Sequence, residues 1–267
     1  MIVNKMHAYG NDFCLVLYEE NKNYELLAKS ICNRTLGIGG LGLIVIKQKP
    51  DLEMYLYDSF GKRCQMDTNA LFCFSKYLND NKLIRKKDFD VIISNAKYNV
   101  EITNEGYMIN MGAANYYNSM LHINDSIDSF GRVLRINNEI SVTIYSLYLG
   151  DVHTIILVDD LDAKIIDNVE LIVNNPLFKK NTNVHYVKLI DKGNIEIKSF
   201  DKNLNLLNSS ASGAAASAIA LNKLKMTFKK INVKFNLGSV LVELKKDKAF
   251  VTGNAKKVFE CEFKEED

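Results

Sequence analysis

No cysteine occurs between Cys73 and Cys261, so most of the chain is without a thiol. The five cysteines are Cys14, Cys32, Cys64, Cys73 and Cys261, an odd number without metal-ligand spacing. That argues against a disulfide framework or a zinc site and for free, mostly buried thiols. Charge of one sign is also lacking. Against 34 basic residues stand 32 acidic ones, a formal net charge of +2, which gives no field that would favour nucleic acid or a membrane surface. The lysine pairs, such as Lys86-Lys87 and Lys229-Lys230, are scattered and read as solvated surface. No run approaches the ~18 apolar residues of a membrane helix. The opening MIVNKMHAYGNDF has no apolar core of the signal-peptide kind. A cytoplasmic protein is the expectation.

What is present is an ordinary globular composition, 47% hydrophobic and 25% charged. A chain of 267 residues makes one large domain or two modest ones. MHAYGNDFCLVLY reads as a strand interrupted by Gly10-Asn11-Asp12, and NYELLAKSICNR has apolar residues at helical spacing. LGLIVIKQ and LEMYLYDS read as a β pair joined by a turn at Pro50-Asp51. A helix follows over about 70–79, and DVIISN, YNVEIT and YMINMG read as a meander. After Gly112 the texture repeats, with strands, a helix over about 168–177, more strands, a helix over about 214–224 and three closing strands. The expected fold class is α+β with two equivalent lobes. Residues 1–114, completed by 258–267, would form the first lobe and 115–257 the second. Only the Ala/Ser run at 209–218 is of low complexity.

Two polar loops lead directly into apolar helices, Met66-Asp67-Thr68-Asn69 and Asn208-Ser209-Ser210-Ala211-Ser212-Gly213. A helix N-terminus offers free N–H groups and the positive end of the macrodipole, which suits a carboxylate ligand. The same residues are good helix caps, so Asp67 and Ser210 fit a purely structural role as well, worth about 1 kcal/mol each.

Several segments resemble the diaminopimelate epimerase family, in order and over nearly the whole chain. KMHAYGNDF (5–13) is similar to the family's K-M-H-G-x-G-N-D-F. CNRTLGIGGLGLIVI (32–46) resembles R-x-x-G-I-G-x-D-x-L-L, with Leu41 in place of its Asp. LYLGDVHTIILVDD (147–160) resembles the G-N-P-H segment, keeping Gly150 and His153 but with Asp151 and Val152 for Asn-Pro. NTNVHYVKLI (181–190) keeps T-N-V, and AFVTGNAKKVF keeps T-G-x-A. The resemblance implies two pseudo-symmetric lobes, each a mostly antiparallel curved sheet wrapped around a central helix, with a ligand cleft between them. It also implies a PLP-independent isomerase without cofactor or metal, a small amino-acid-like carboxylate as ligand, a place in lysine biosynthesis and a homodimer.

The family moves a proton between two cysteines, and both matching positions differ here. Met66 and Cys73 fix the register of the first, which places Asp67 at the thiol and Thr68-Asn69-Ala70 at Gly-Asn-Gly. At the second, Ser210-Ala211-Ser212-Gly213 stands for Cys-Gly-Ser/Thr-Gly, and Asp201-Lys202 stands for Glu-Arg. Asp67 and Ser210 are therefore the candidate catalytic positions. Asn11, Asp58, Thr68, Asn69, Asp151, Asn183, Asp201, Lys202, Ala211 and Ser212 are the ligand-binding candidates. A thiol near pKa ~8.5 is a usable acid or base, and an aspartate near ~3.9 is a weak base unless buried. A serine hydroxyl is too weak unaided, and neither loop contains a histidine; His153 is the one candidate helper. Two-thiol epimerisation is thus excluded on composition. Three readings follow: an isomerase with altered chemistry at Asp67, a non-catalytic binding protein on the same fold, and diaminopimelate epimerase by overall similarity.

Overall fold

The computed structural model describes residues 1–123, 128–137 and 140–264. The chain divides into two compact units, Met1–Ile109 with Thr252–Asp267, and Asn110–Val251. The divisions therefore fall at 109/110 and 251/252, where the sequence reading drew 114/115 and 257/258. Of its closing stretch 258–267, residues 265–267 lie outside the described residues.

In the first unit, β1 (Ile2–Ala8) turns at Tyr9-Gly10 and returns at once as β2 (Asn11–Leu17), pairing antiparallel from Asn4↔Leu15 to Ala8↔Asn11. MHAYGNDFCLVLY is thus a hairpin and not one interrupted strand. Tyr9 and Gly10 both take positive φ, 50° and 89°, and Asn11 already belongs to the returning strand. Next, α1 (Tyr24–Ile31) starts at the N-cap Asn23, whose side chain accepts from the Leu26 N–H. It buries Tyr24, Leu27, Ala28 and Ile31, one stripe of a helix, in a core with Cys14, Leu43, Val45 and Tyr57.

There follow β3 (Gly42–Lys47), β4 (Glu53–Asp58), β5 (Arg63–Cys64), α2 (Thr68–Asp80), β6 (Asp88–Ile93), β7 (Ala96–Thr103) and β8 (Gly106–Ala113). β2 runs parallel to β3, β3 antiparallel to β4, β4 touches β6 in parallel at Glu53↔Ile92, and β6, β7 and β8 form the meander. Every residue of α2 from Thr68 to Ser75 is buried. A helix covered all round belongs at a centre, and α2 packs against β1, β2 and β3.

The second unit contains α3 (Asn118–Leu121), β9 (Phe130–Arg135), β10 (Ser141–Tyr148), β11 (Val152–Leu157) and α4 (Val169–Val173), the last preceded by a 3-10 turn at Lys164–Asn168. The helix read over 168–177 is only five residues long as α-helix. Pro176 disfavours helical backbone at Asn175, and α4 ends before it. Between β9 and β10, residues 138 and 139 lie outside the described residues. The unit continues with β12 (Asn183–Asp191), β13 (Asn194–Phe200), β14 (Leu206–Leu207), α5 (Ala211–Lys223), β15 (Lys230–Phe235), β16 (Gly238–Lys245) and β17 (Lys248–Gly253). β18 (Lys256–Glu262) returns to the first unit, antiparallel to β1.

The internal repeat is legible in the pairing pattern. β10 and β11 are antiparallel, β11 and β12 parallel, β12 and β13 antiparallel, and β13 and β15 parallel. β1, β2, β3, β4 and β6 follow the same sequence of pairings. In each unit a two-residue strand and then the central helix interrupt the last step: β5 and α2 in one, β14 and α5 in the other. Among the described residues no helix is long and apolar enough to cross a membrane.

Candidate active site

Both polar loops end as helix caps. Asp67 is the N-cap of α2, with extended backbone (φ −123°, ψ 126°), and its Oδ1 accepts the Ala70 N–H at 2.8 Å. Ser210 is the N-cap of α5 (φ −141°, ψ 99°), and its Oγ accepts the Gly213 N–H at 3.1 Å. The helices begin at Thr68 and Ala211, a few residues before the sequence reading placed them, because capping by Asp67 and Ser210 fixes the first turn.

In the first unit Asp67 is half-buried as a residue, and burial of its carboxyl raises the pKa above the ordinary carboxylate value. The Ala70 and Asn69 N–H groups pull the other way and do not prevail. Asn69 is 3% exposed, and its side-chain oxygen is buried without a hydrogen-bond partner. The Thr68 hydroxyl is buried and donates weakly to the Met66 sulfur at 3.6 Å. Asp58 and Asp67 both lie near enough to the Cys64 thiol to help burial push its pKa up. Asp58 uses Oδ1 in a turn, accepting from the N–H groups of Phe60 and Lys62, each at 2.9 Å. Asn11 opens β2 at the end where Asp58 closes β4, since Phe13 pairs with Gly42 and Gly42 with Asp58. Next to Asn11, Asp12 is held by Lys5 at 2.7 Å and by both terminal nitrogens of Arg34, at 2.7 and 3.1 Å. Lys5 also donates to the Gly39 carbonyl, which fixes the hairpin to the loop after α1.

In the second unit Asp151, Asn183 and Lys202 come together around Val152. Asp151 Oδ1 accepts the Val152 N–H at 2.8 Å, and Oδ2 pairs with Lys202 Nζ at 3.1 Å. Burial alone would raise the Asp151 pKa, but the Val152 N–H and the Lys202 ammonium outweigh it and hold the carboxyl below its usual range. Asn183 Nδ2 donates to the Val152 carbonyl at 3.0 Å. Asp201 does not pair with Lys202. Its carboxylate accepts the N–H groups of Asn203 and Asn205, at 2.8 and 2.9 Å, and the Asn205 side chain at 2.9 Å, closing a turn. Ala211 and Ser212 occupy the first turn of α5, Ala211 buried and Ser212 partly exposed.

The structure also supplies a histidine that the sequence reading missed. His185, on β12, is fully buried, and its Nδ1 lies 2.5 Å from where a Cβ on Gly213 would stand; Ser210 Oγ lies 2.7 Å from the same point. His153 is therefore not the only histidine near this loop. Its Nδ1 is 2.8 Å from His185 Nε2, and the rings stack with centroids 5.1 Å apart. The other His185 nitrogen, Nδ1, meets Ser199 Oγ at 2.9 Å. Burial drives both histidines down, His153 to about 4 despite the opposing charge of Asp151, so both rings are neutral at pH 7. With both ring nitrogens occupied, His185 has none left to take the Ser210 proton, and Ser210 remains a cap without an activating base. The available signal was small. Asn183 and His185 share one strand face two residues apart, but only tertiary placement puts that face against Gly213. Among the described residues no group of three or more His, Cys, Asp or Glu could hold a metal ion.

The diaminopimelate epimerase family model matches residues 3–117 and 145–258. A diaminopimelate epimerase of Caldanaerobacter subterraneus subsp. tengcongensis is 29% identical over 272 residues, covering 98% of this chain and 99% of that protein. Among solved structures, a phenazine biosynthesis protein of the PhzF family from Bacillus anthracis superposes with a TM-score of 0.70 at 13% identity, covering 98% of each chain. A hydroxyproline epimerase from Agrobacterium vitis, solved with bound trans-4-hydroxy-L-proline, gives 0.67 at 9% identity, covering 98% of this chain and 91% of that one. With its α+β units built on one repeated pairing scheme and the family model matched through both of them, the chain belongs to the diaminopimelate epimerase family.

Proposed function

We propose that this protein is a cytoplasmic, PLP-independent isomerase of a small amino-acid-like carboxylate that works without a pair of thiols, with Asp67 as its acid and base. The observation that carries this reading is the state of Asp67. It caps α2 where the resemblance places a thiol, and burial moves its pKa upward, toward the range a proton-transfer group needs. In the second unit Ser210 has no free base beside it among the described residues, so it takes no part in proton transfer. In the first unit Asn11, Thr68 and Asn69 provide polar contacts, and the unpaired Asn69 oxygen suits an ammonium or amide N–H. A single carboxylate takes a proton from one face of the α-carbon and returns it to that face or to a neighbouring atom of the same face. Such a site exchanges or migrates protons but does not invert a stereocentre.

The experiment is solvent-deuterium exchange at the α-position over a panel of small amino acids that includes diaminopimelate. Exchange with retained configuration, abolished in Asp67→Asn while ligand binding persists, is the expected result. Turnover unchanged in Asp67→Asn would sink the assignment of Asp67. Exchange into diaminopimelate with inversion would instead support diaminopimelate epimerase and a role in lysine biosynthesis. A second reading, a non-catalytic binding protein on the same fold, is favoured by the carboxylates of Asp58 and Asp201, which are spent on their own turns. It predicts binding without exchange anywhere in the panel.

A further inference from the structure

We propose that Ser199, His185 and His153 form a positioning relay that fixes the His153 proton on Nε2 and so presents His153 as a neutral hydrogen-bond donor to a ligand carboxylate. The inference rests on the small-carboxylate reading above for its ligand and on the hydrogen-bond chain alone for its tautomer. The chain runs from Ser199 Oγ to His185 Nδ1 at 2.9 Å, and from His185 Nε2 to His153 Nδ1 at 2.8 Å. It ends at His153 Nε2, which is buried and has no hydrogen-bond partner; the Leu149 backbone lies near the ring without meeting normal bond geometry.

A neutral imidazole has one N–H and one bare nitrogen, so only two proton arrangements satisfy both links. In the first, Ser199 donates to His185 Nδ1, His185 Nε2–H donates to His153 Nδ1, and His153 carries its proton on Nε2. In the second every proton is reversed: His153 donates to His185, His185 donates to Ser199, and His153 Nε2 is bare. The second arrangement strands the Ser199 hydroxyl proton, because Ser199 is 2% exposed and its Oγ has no second partner among the described residues. It also leaves His153 Nε2 as an orphan acceptor. The first arrangement leaves one orphan only, the His153 Nε2–H. Each arrangement strands one donor and only the second adds an orphan acceptor, and every unsatisfied buried polar group carries a cost, so the first arrangement prevails. Strand register holds the relay in place, since His185 pairs with Ser199 across β12 and β13, and His153 pairs with Asn183 across β11 and β12.

The test is a long-range proton–nitrogen correlation spectrum of the histidine rings in the full chain, uniformly labelled with nitrogen-15. The expected spectrum at pH 7 shows His153 and His185 neutral, each protonated on Nε2. A proton on Nδ1 of His153, or a charged ring, would overturn the relay, and this reading needs no variant. In Ser199→Ala the His153 signal should lose its single Nε2–H form, and Ser199→Thr, which keeps the hydroxyl, should restore it. An unchanged His153 tautomer in folded Ser199→Ala would also overturn the relay. Saturating sodium acetate should displace the His153 Nε2–H resonance, where equal sodium chloride or methylammonium chloride does not; no displacement by acetate would overturn the carboxylate assignment. Failure of the deuterium-exchange assay leaves each of these spectra decisive, so the two readings fall separately.

Discussion

The N-termini of α2 and α5 occupy equivalent places in the repeated scheme and use the same local device, yet they hold opposite electrostatics. At α2 the capping group is itself ionisable, and desolvation raises its pKa. At α5 the cap is a neutral hydroxyl, and the titratable groups stand behind it as two histidines whose pKa values burial depresses. The helices differ in kind as well. α2 carries Phe72 and Phe74, whereas α5 has five alanines from 211 to 218 and Gly213 where the His185 ring approaches. Equivalent backbone positions therefore do not imply equivalent chemistry. Only the cap of α2 is itself an acid or base; the cap of α5 is a hydroxyl.

The largest test of this contrast is pH. For His153 and His185 the folded pKa lies below the unfolded value near 6.5, so the native state binds fewer protons than the unfolded chain. Their stabilisation is full above about pH 6.5 and is lost as pH falls through the folded values, about 4 for His153. By this reckoning His153 alone accounts for up to roughly 3 kcal/mol between those limits. Asp67 has the opposite sign. Its raised pKa means that stability present below about pH 3.8 is lost as pH rises through the folded value. Urea unfolding at pH 7, 5.5 and 4 should show a steep acid loss in the wild type and a flatter profile in a His153→Gln, His185→Gln chain. Equal slopes in the two proteins would break the contrast.

Gly213→Ala comes next. An added methyl would stand 2.5 Å from His185 Nδ1 and 2.7 Å from Ser210 Oγ, so the ring or the cap must move, at a cost of about 1–3 kcal/mol. A melting temperature within a degree of wild type would show that the His185 ring is not held against Gly213.

The smallest effects sharpen the comparison at the caps themselves. Ser210→Ala and Asp67→Ala should each destabilise by about 1 kcal/mol, while Asp67→Asn keeps the cap and should cost almost nothing. A large loss in Asp67→Asn would mean that the charge, and not the cap, holds the start of α2.

Much of this was legible in the sequence because it rests on local rules. Alternation marked the strands, and Asp67 and Ser210 before apolar runs were legible as caps, although the helices begin at Thr68 and Ala211 and not at 70 and 214. The misses have particular causes. MHAYGNDF hid a hairpin because the turn falls on Tyr9-Gly10, and a tyrosine at φ 50° is not a turn signal that composition gives. The helix over 168–177 was overextended past Pro176. His185 escaped because its role depends on which face of β12 meets the start of α5, a fact of packing that no spacing within 181–190 encodes. Asp58 and Asp201 looked like ligand contacts, yet each closes a turn with N–H groups two and four residues on, which sequence motifs alone do not separate from a binding role.

The pairing of β1 with β18 has a consequence for how the protein is made. The first unit includes Thr252–Asp267, and Gly253 lies so close to the Phe72 ring on α2 that an added Cβ would fall 2.7 Å from it. A ribosome has therefore produced the whole of the second unit before the strand that completes the first becomes available. Until then one edge of β1 and the surface of α2 that packs on β18 are uncovered. The second unit, continuous in sequence, can close on itself during synthesis, while the earlier-made half must wait for the later one.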